Sequence, residues 1–404
     1  MVRNLNESST PSDWRYDYLD KFAKRGSGHT PDKEIPEYWN GGIKWISLAD
    51  SSKLDNGYIY ETDKEISEEG IKNSSAVLHP QGTVVLSRDA GVGKSAVMSS
   101  PMAVSQHFIA WRCDNSEKIN SWFLYNWLQL MKPEFERQAV GSTIKTIGLP
   151  YFKKLKIAAP PIAQQQKIAQ ILSSWDKAIE KLEALTAAKQ KRKKALMQQL
   201  LTGKKRFAGF EGEWKTYHLS EIFSERNESG FNDLTLLSIT REKGVIPRDE
   251  VERKDTSNDD KSKYLRICPG DIGYNTMRMW QGVSALSDLE GIVSPAYTIC
   301  VPKNNIDAKY ASFLFKTPVV MNLFLRYSQG LTSDTWNLKF RHFSEIKITI
   351  PEKAEQQKIA FVLSAADIEI ETHQKQLSAL KEQKKGLMQQ LLTGKIRVKL
   401  DKEN

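Results

Sequence analysis

Cysteine is scarce in this chain: Cys113, Cys268 and Cys300 are the three present among 404 residues, far apart and odd in number. No CxxC pair or Cys/His cluster occurs, so neither a disulfide framework nor a zinc site is indicated. That usage fits a reducing cytoplasm, which is the expected location. Long apolar runs are missing as well. None approaches the roughly 18 residues that span a bilayer, so no membrane partner is expected. The segment Met1 to Pro11 is polar and lacks the apolar core of a signal peptide. A catalytic constellation is also absent. The six histidines are scattered, no Asn-Pro-Pro-Tyr-like methyltransferase motif occurs, and acid-x-Lys triplets such as Asp259-Asp260-Lys261 arise by chance.

What is present is an ordinary globular composition, 40% hydrophobic and 27% charged. The length suggests two to four domains, and each half is long enough to bury its own core. The formal net charge of +10 favours an anionic partner such as nucleic acid.

The strongest signal is an internal repeat. Gln165-Gln166-Lys167-Ile168-Ala169 returns 191 residues later as Gln356-Gln357-Lys358-Ile359-Ala360. The run from Leu196 to Lys204 returns unchanged from Leu387 to Lys395, at the same 191-residue offset. Each copy reads as a long helix. Pro160 and Pro351 sit just before it, where proline is tolerated. Gly203 and Gly394 are its C-terminal stops, flanked by lysines that suit the helix dipole. About 39 residues at 1.5 Å each give a rod of roughly 58 Å.

Apolar residues follow a 3-4 spacing on both copies: Ile168, Leu172, Trp175, Ile179, Leu182, Leu196 and Leu200, then Ile359, Leu363, Ile370, Leu377, Leu380, Leu387 and Leu391. That is a coiled-coil seam. In the first copy Thr186, Lys189 and Lys193 hold its central positions, where lysine stems cover apolar surface while their charges reach water. A chain of the form globule–rod–globule–rod with matched rods can pair them antiparallel, as a spacer and docking platform. The expected organisation is a first head at residues 1–159, a helix at 160–204, a second head at 205–350, a second helix at 351–395 and a tail at 396–404. The fold class is α+β, with two strand-rich heads joined by paired helices.

Both heads end in a strand-like alternation, Leu155 to Pro160 and Ile346 to Pro351. Weaker matches persist inside them. Gln81-Gly82-Thr83-Val84 is like Pro269-Gly270-Asp271-Ile272, Trp14 before Leu19 is like Trp214 before Leu219, and Gly141-Ser142-Thr143 is like Gly330-Leu331-Thr332. A shared frame with divergent loops suits two readers of different targets.

The run Gly28-His29-Thr30-Pro31, then Glu37-Tyr38-Trp39-Asn40-Gly41-Gly42-Ile43-Lys44-Trp45-Ile46, resembles the signature of target-recognition domains in specificity subunits of type I restriction–modification systems. So does Val85 to Lys94, and the two repeated helix segments resemble that family's conserved spacer regions. The second head lacks the Gly-x-Thr-Pro and Glu-Tyr-Trp pieces, so its inclusion rests on the helix repeat.

Gly91-Val92-Gly93-Lys94-Ser95 invites comparison with a nucleotide-binding loop. Arg88 stands where that loop needs its first glycine, and no helix is expected to follow. A tight turn presenting Arg88, Lys94 and Ser95 to DNA suits the residues better. Ser142, Thr143 and Lys145 in the first head, with Ser333, Thr335 and Trp336 in the second, sit in polar loops whose hydroxyls and cations suit phosphates and base edges. Asn275, Thr276 and Arg278 are comparable candidates, since arginine reads guanine and asparagine reads adenine in a bidentate manner. Trp280 fits either that surface or the core. The run Lys189 to Lys194 faces DNA, a partner or, as charge runs more often do, solvent.

The resemblance implies a subunit that reads double-stranded DNA without catalysing a reaction, each head taking one half of an asymmetric bipartite target. It implies two methyltransferase subunits docked on the helices and two motor-nuclease (restriction) subunits. No cofactor belongs to this chain; S-adenosylmethionine, ATP and magnesium belong to the partners. Two other readings stand beside it: a coiled-coil adaptor that binds only protein, and a nucleotide-hydrolysing enzyme using Gly93-Lys94-Ser95.

Overall fold

The computed structural model describes residues 7–251 and 260–400. The first six residues of the first head, Asp259 and the end of the tail lie outside the described residues. The chain divides into two compact units. One holds the residues up to Glu183 together with those from Lys375 onward; the other is Ala184–Gln374. Packing therefore divides each long helix near its middle, whereas the domain limits expected from sequence fall where the heads meet the helices.

In the first unit a five-stranded sheet runs in the order Lys24–Ser27, Phe108–Arg112, Val84–Ser87, Ser95–Met98, Tyr58–Ile59. The last pair is parallel and the others antiparallel. Side chains alternate across a strand, and here both faces are covered. Val84 and Leu86 join Ile109, Trp111 and the helix Ser121–Gln138 in one core. Val85 joins Ala96, Met98 and Phe108 in another. A smaller sheet sets Trp39–Ile46 between Lys64–Ile66 and Ala103–Val104. Arg15–Tyr18 pairs antiparallel with Lys156–Ala159, the strand expected before Pro160.

The second unit repeats the frame. Four antiparallel strands run in the order Phe223–Glu225, Tyr297–Pro302, Ile272–Asn275, Ser284–Leu286. Lys215–His218 pairs with Lys347–Ile350. One helix of the first head becomes two here, Ala308–Leu314 and Pro318–Tyr327. The second opens with proline at its first turn, where a missing N–H costs nothing, and Thr317 caps it.

The small matches inside the heads are structural. Gly82 and Gly270 both take positive φ, +80° and +91°. Each donates its N–H across the hairpin, to Met98 and to Ser287. Leu19 and Leu219 are fully buried and donate to the carbonyls of Leu155 and Ile346.

The long helices are Ile162–Leu200 and Lys353–Leu391, 39 residues each. In the first unit Ile168 and Leu172 share a core with Met388, Leu391 and Leu392, and Leu387 packs against it. Asp176 pairs with Lys384, and Glu183 with Lys381. Partner numbers fall as residue numbers rise, so the segments are antiparallel. In the second unit Leu200 and Leu201 share a core with Ile359 and Leu363, and Leu196 packs against it. Lys189 pairs with Glu369 and Lys193 with Asp367, again antiparallel.

Trp175, Ile179, Leu182, Leu377 and Leu380 are half-buried along the seam, and Ile370 is buried. In the second unit Thr186 is buried, with Lys189 and Lys193 half-buried, so these polar positions belong to the packed face of their helix. Lys191, Arg192 and Lys194 are exposed. The cationic run is therefore divided between seam and solvent.

Both helices stop in the same way. Gly203 and Gly394 adopt φ of +70° and +69°, the left-handed region that favours glycine. The N–H two residues beyond reaches back six residues, Lys205 to Gln199 and Ile396 to Gln390. That bond satisfies a carbonyl the helix end leaves open.

Candidate nucleic-acid interface

In the first head the segment Arg88–Lys94 is a hairpin turn between Val84–Ser87 and Ser95–Met98. Positive φ at Ala90, Gly91 and Gly93 closes it, and Gly93 donates back to the Ser87 carbonyl. Lys94-Ser95 thus leads into a strand, not the helix that a nucleotide-binding loop requires.

The turn is as expected, but its polar side chains are not turned outward. Arg88 Nε donates to the Ile147 carbonyl at 3.1 Å. Lys94 Nζ donates to the Ser51 carbonyl at 3.0 Å. Ser95 is fully buried and its hydroxyl accepts from Gln129 at 2.9 Å. This corrects the sequence expectation for Ser95, which lies in a strand covered on both faces.

The loop Val140–Thr146 behaves otherwise. Val140 and Thr146 exchange two backbone bonds of 3.0 and 2.9 Å, and Ser142, Thr143 and Lys145 stand exposed beyond them. Turn and loop are tied together. Ile147 N–H donates to the Arg88 carbonyl at 3.0 Å, Ala90 N–H to the Lys145 carbonyl at 3.3 Å, and the Thr146 hydroxyl to the Asp89 carboxylate.

Sequence reasoning missed His107. Its Nδ1 lies 2.8 Å from Asp89 Oδ2, and its ring is partly open to solvent. With Asp89 accepting the Nδ1 proton, Nε2 is left as an acceptor near the Gln106 amide. An imidazole fixed in this way suits the amino group of a base. The two residues are 18 apart, Asp89 in the hairpin turn after Val84–Ser87 and His107 in the turn before Phe108–Arg112, so no spacing pattern announces them.

The signature segments of the first head converge on a cleft of about 470 Å³ lined in part by Thr30, Trp39, Trp45, Lys64, Gln106 and His107. Thr30 Oγ1 bonds Gln106 Oε1 at 2.5 Å. Trp45 donates to the His29 carbonyl at 3.1 Å, and Trp39 to the Asp32 carbonyl at 3.0 Å. A Cβ at Gly28 would lie 1.8 Å from the Val104 carbonyl oxygen, so only glycine lets the strands approach there.

The second head carries the same pair of elements with different side chains. Leu338 N–H donates to the Thr276 carbonyl at 2.9 Å, the counterpart of the Ile147–Arg88 bond. Gln329 and Asn337 close the loop between them with bonds of 2.9 and 2.8 Å. Ser333 and Thr335 are exposed in that loop, and Arg278 is exposed beside it. Thr276 is buried, its hydroxyl donating to the Ala296 carbonyl at 3.0 Å, so it belongs to the frame. Asn275 is half-buried and its Oδ1 accepts from Met277 N–H at 3.0 Å. Trp280 and Trp336 meet edge to face at 5.1 Å. Both are half-buried, so neither is plain core.

Among the described residues no group of three or more His, Cys, Asp or Glu side chains is placed to hold a metal ion. None of the described helices is long and apolar enough to cross a membrane.

Comparison with known proteins fits this frame. The profile of the family described as "Type I restriction modification DNA specificity domain" matches residues 11–190 and 211–382. The chain is 30% identical to the type I restriction enzyme MjaIX specificity subunit of Methanocaldococcus jannaschii, over 42% of this chain and 39% of that protein. It is 24% identical to the MjaVIII specificity subunit of the same organism, over 98% of this chain and 96% of the other. Among solved structures, the type I restriction–modification S subunit from M. genitalium is similar, with a TM-score of 0.56 at 16% identity over 96% of this chain and 98% of that one. A chain solved in work on complex assembly and conformational transition of the type I R-M system aligns with a TM-score of 0.60 at 14% identity, over 96% of this chain and 99% of that one.

Proposed function

The chain belongs to the type I restriction modification DNA specificity family, and from that premise we propose that it is the non-catalytic subunit that reads DNA for a methyltransferase–endonuclease complex. Each head takes one half of an asymmetric, bipartite duplex target. The long helices receive two methyltransferase subunits, which carry S-adenosylmethionine. Two motor-nuclease subunits carry ATP and magnesium.

One observation supports this reading above the others. Both heads set a loop beside a strand-end turn through the same backbone bond, Ile147 to Arg88 and Leu338 to Thr276. The side chains presented there differ: Lys145 and His107 in one head, Arg278 and the Trp280–Trp336 pair in the other. A constant frame with changed side chains is what two different half-sites require, since phosphate contacts fix register and base-edge contacts fix sequence. The second long helix also turns Phe361 and Ile368 to solvent, seven residues apart and so on one face. Apolar side chains displayed in this way suit a protein partner.

Mapping methylated adenines in cells that carry this chain with its methyltransferase partner tests the proposal. A two-part motif with unlike halves is the expected result. Exchanging residues 1–159 for another first head should change one half and leave the other. A purified complex that binds no DNA at low salt would overturn the reading in favour of an adaptor.

A further inference from the structure

Leu331 is 101% exposed, as open to water as a side chain in an extended chain. It is not on a loose tail. It sits in the loop closed by the two Gln329–Asn337 bonds. The Thr335 hydroxyl braces the turn, accepting from Thr332 N–H at 3.1 Å. Gly330, at φ +136°, brings its Cα so close to the Thr335 carbonyl that a Cβ would lie 2.6 Å from the oxygen. A leucine held away from the core forgoes the stabilisation that its burial would bring.

The first head repeats the arrangement. Its equivalent loop is closed by Val140 and Thr146 and turned by Gly141 at φ +125°. It leaves Val140 72% and Ile144 58% exposed. The position of the apolar side chain differs between the two loops; its presence does not.

The surroundings favour nucleic acid over protein as the occupant. Protein-docking faces are broad and apolar at their centre. Here one fully exposed aliphatic tip shares its loop with the hydroxyls of Ser333 and Thr335 and the carboxylate of Asp334, and the adjoining turn carries the cation Arg278 beside the part-exposed Met277 and Trp280, which meets Trp336 of the loop edge to face. Isolated leucine, isoleucine or methionine wedges flanked by groups suited to phosphate are used to part stacked base pairs and kink a duplex.

Resting on the DNA-reading proposal above, we infer that Leu331 is a wedge that enters a base step of the half-site read by the second head, with Ile144 in the same role in the first. The wedge would open the stack next to the bases being read, and so favour target sequences whose steps unstack readily.

The test uses the full chain assembled with its methyltransferase subunits and a duplex carrying the mapped target. Leu331→Ala should weaken binding to the intact duplex about tenfold. It should bind nearly as well as the wild type when the contacted step carries an abasic position, because that stack is already open. Leu331→Met should retain affinity. Fluorescence of 2-aminopurine in the second half-site should rise with the wild type and not with Leu331→Ala.

Equal affinities of wild type and Leu331→Ala on intact DNA, or an equal loss on both duplexes, would overturn the wedge alone. Weaker assembly with the methyltransferase at unchanged DNA affinity would overturn it in favour of a protein contact. Failure of the wild-type complex to bind its mapped target would overturn the DNA-reading proposal together with it.

Discussion

Gln165 and Gln356, 191 residues apart, make the same three hydrogen bonds in their respective units. Gln165 Nε2 donates to the carbonyls of Pro160 and Lys118, at 2.8 and 3.1 Å. Its Oε1 accepts from Asn120 N–H at 2.9 Å. Gln356 repeats this with Pro351, Asn305 and Asp307, at 2.8, 3.0 and 2.8 Å. Asn120 and Asp307 are themselves the caps of head helices. One buried amide thus fixes the start of each long helix to its head.

Gln165→Ala should therefore lower the stability of the first unit by about 3 kcal/mol, since it strands two buried carbonyls and an N–H. Gln356→Ala should do the same in the second. Amide hydrogen exchange checks where the effect falls. Protection should drop near 118–124 in the first variant and near 305–311 in the second.

A second repeated contact is unequal in its two copies. Arg206 grips Glu355 with two bonds of 3.0 and 2.6 Å, and that carboxylate is buried. Arg397 stands 191 residues after Arg206, and the Glu355 position is taken by Gln164. There Arg397 donates to Gln164 at 2.9 Å and draws its counter-charge from Asp13, whose side chain is 46% exposed. Removing the partner of a buried charge is far more damaging than breaking an exposed pair. Arg206→Ala should lower the melting midpoint by several degrees and Arg397→Ala by about one degree or less. A thermal melt of each variant decides it, and equal effects would contradict the asymmetry.

The repeat, the helix stops and the seam were legible because they rest on residue identity at a fixed offset and on a 3-4 period. The role of Gln165 was not. It falls three residues before Ile168, on the seam face, where a period-based reading expects an apolar residue. The glycines of the Arg88–Lys94 segment announced a turn, but glycine says nothing about where neighbouring side chains point. Ser95 misled for a related reason. Its strand is buried throughout, so alternation gave no outward face to place it on. The His107–Asp89 pair joins two turns that flank the paired strands Val84–Ser87 and Phe108–Arg112, and only the strand pairing brings them together.

His79 gives the first unit an acid limit. Burial, with a smaller contribution from the charge of Arg112, pulls its pKa down from 6.5 to about 4. Between those values the unfolded chain binds a proton that the folded chain refuses, so stability falls as pH falls. Above 6.5 both states are neutral at this site and it makes no pH-dependent contribution. The first unit should lose on the order of 3 kcal/mol between pH 6.5 and 4 from this residue. Denaturant titrations across that range should show a shallower acid limb in His79→Asn. An unchanged limb would assign the acid sensitivity to other groups.

The last prediction separates cations that hold the protein together from one free to reach DNA. Lys145 is exposed at the rim of its loop, whereas Lys94 is turned onto the Ser51 carbonyl. A lysine on a phosphate contributes affinity through counterion release, independently of sequence. Lys145→Ala should weaken binding of target and non-target duplexes by a similar factor and reduce the slope of log K against log salt by about one. Ser95→Ala, which removes a hydroxyl buried against Gln129, should leave that slope unchanged and appear only in the unfolding midpoint. Anisotropy titrations at three salt concentrations distinguish the two outcomes. A slope that moves with Ser95 and not with Lys145 would mean that DNA approaches the hairpin face of this head, not the loop.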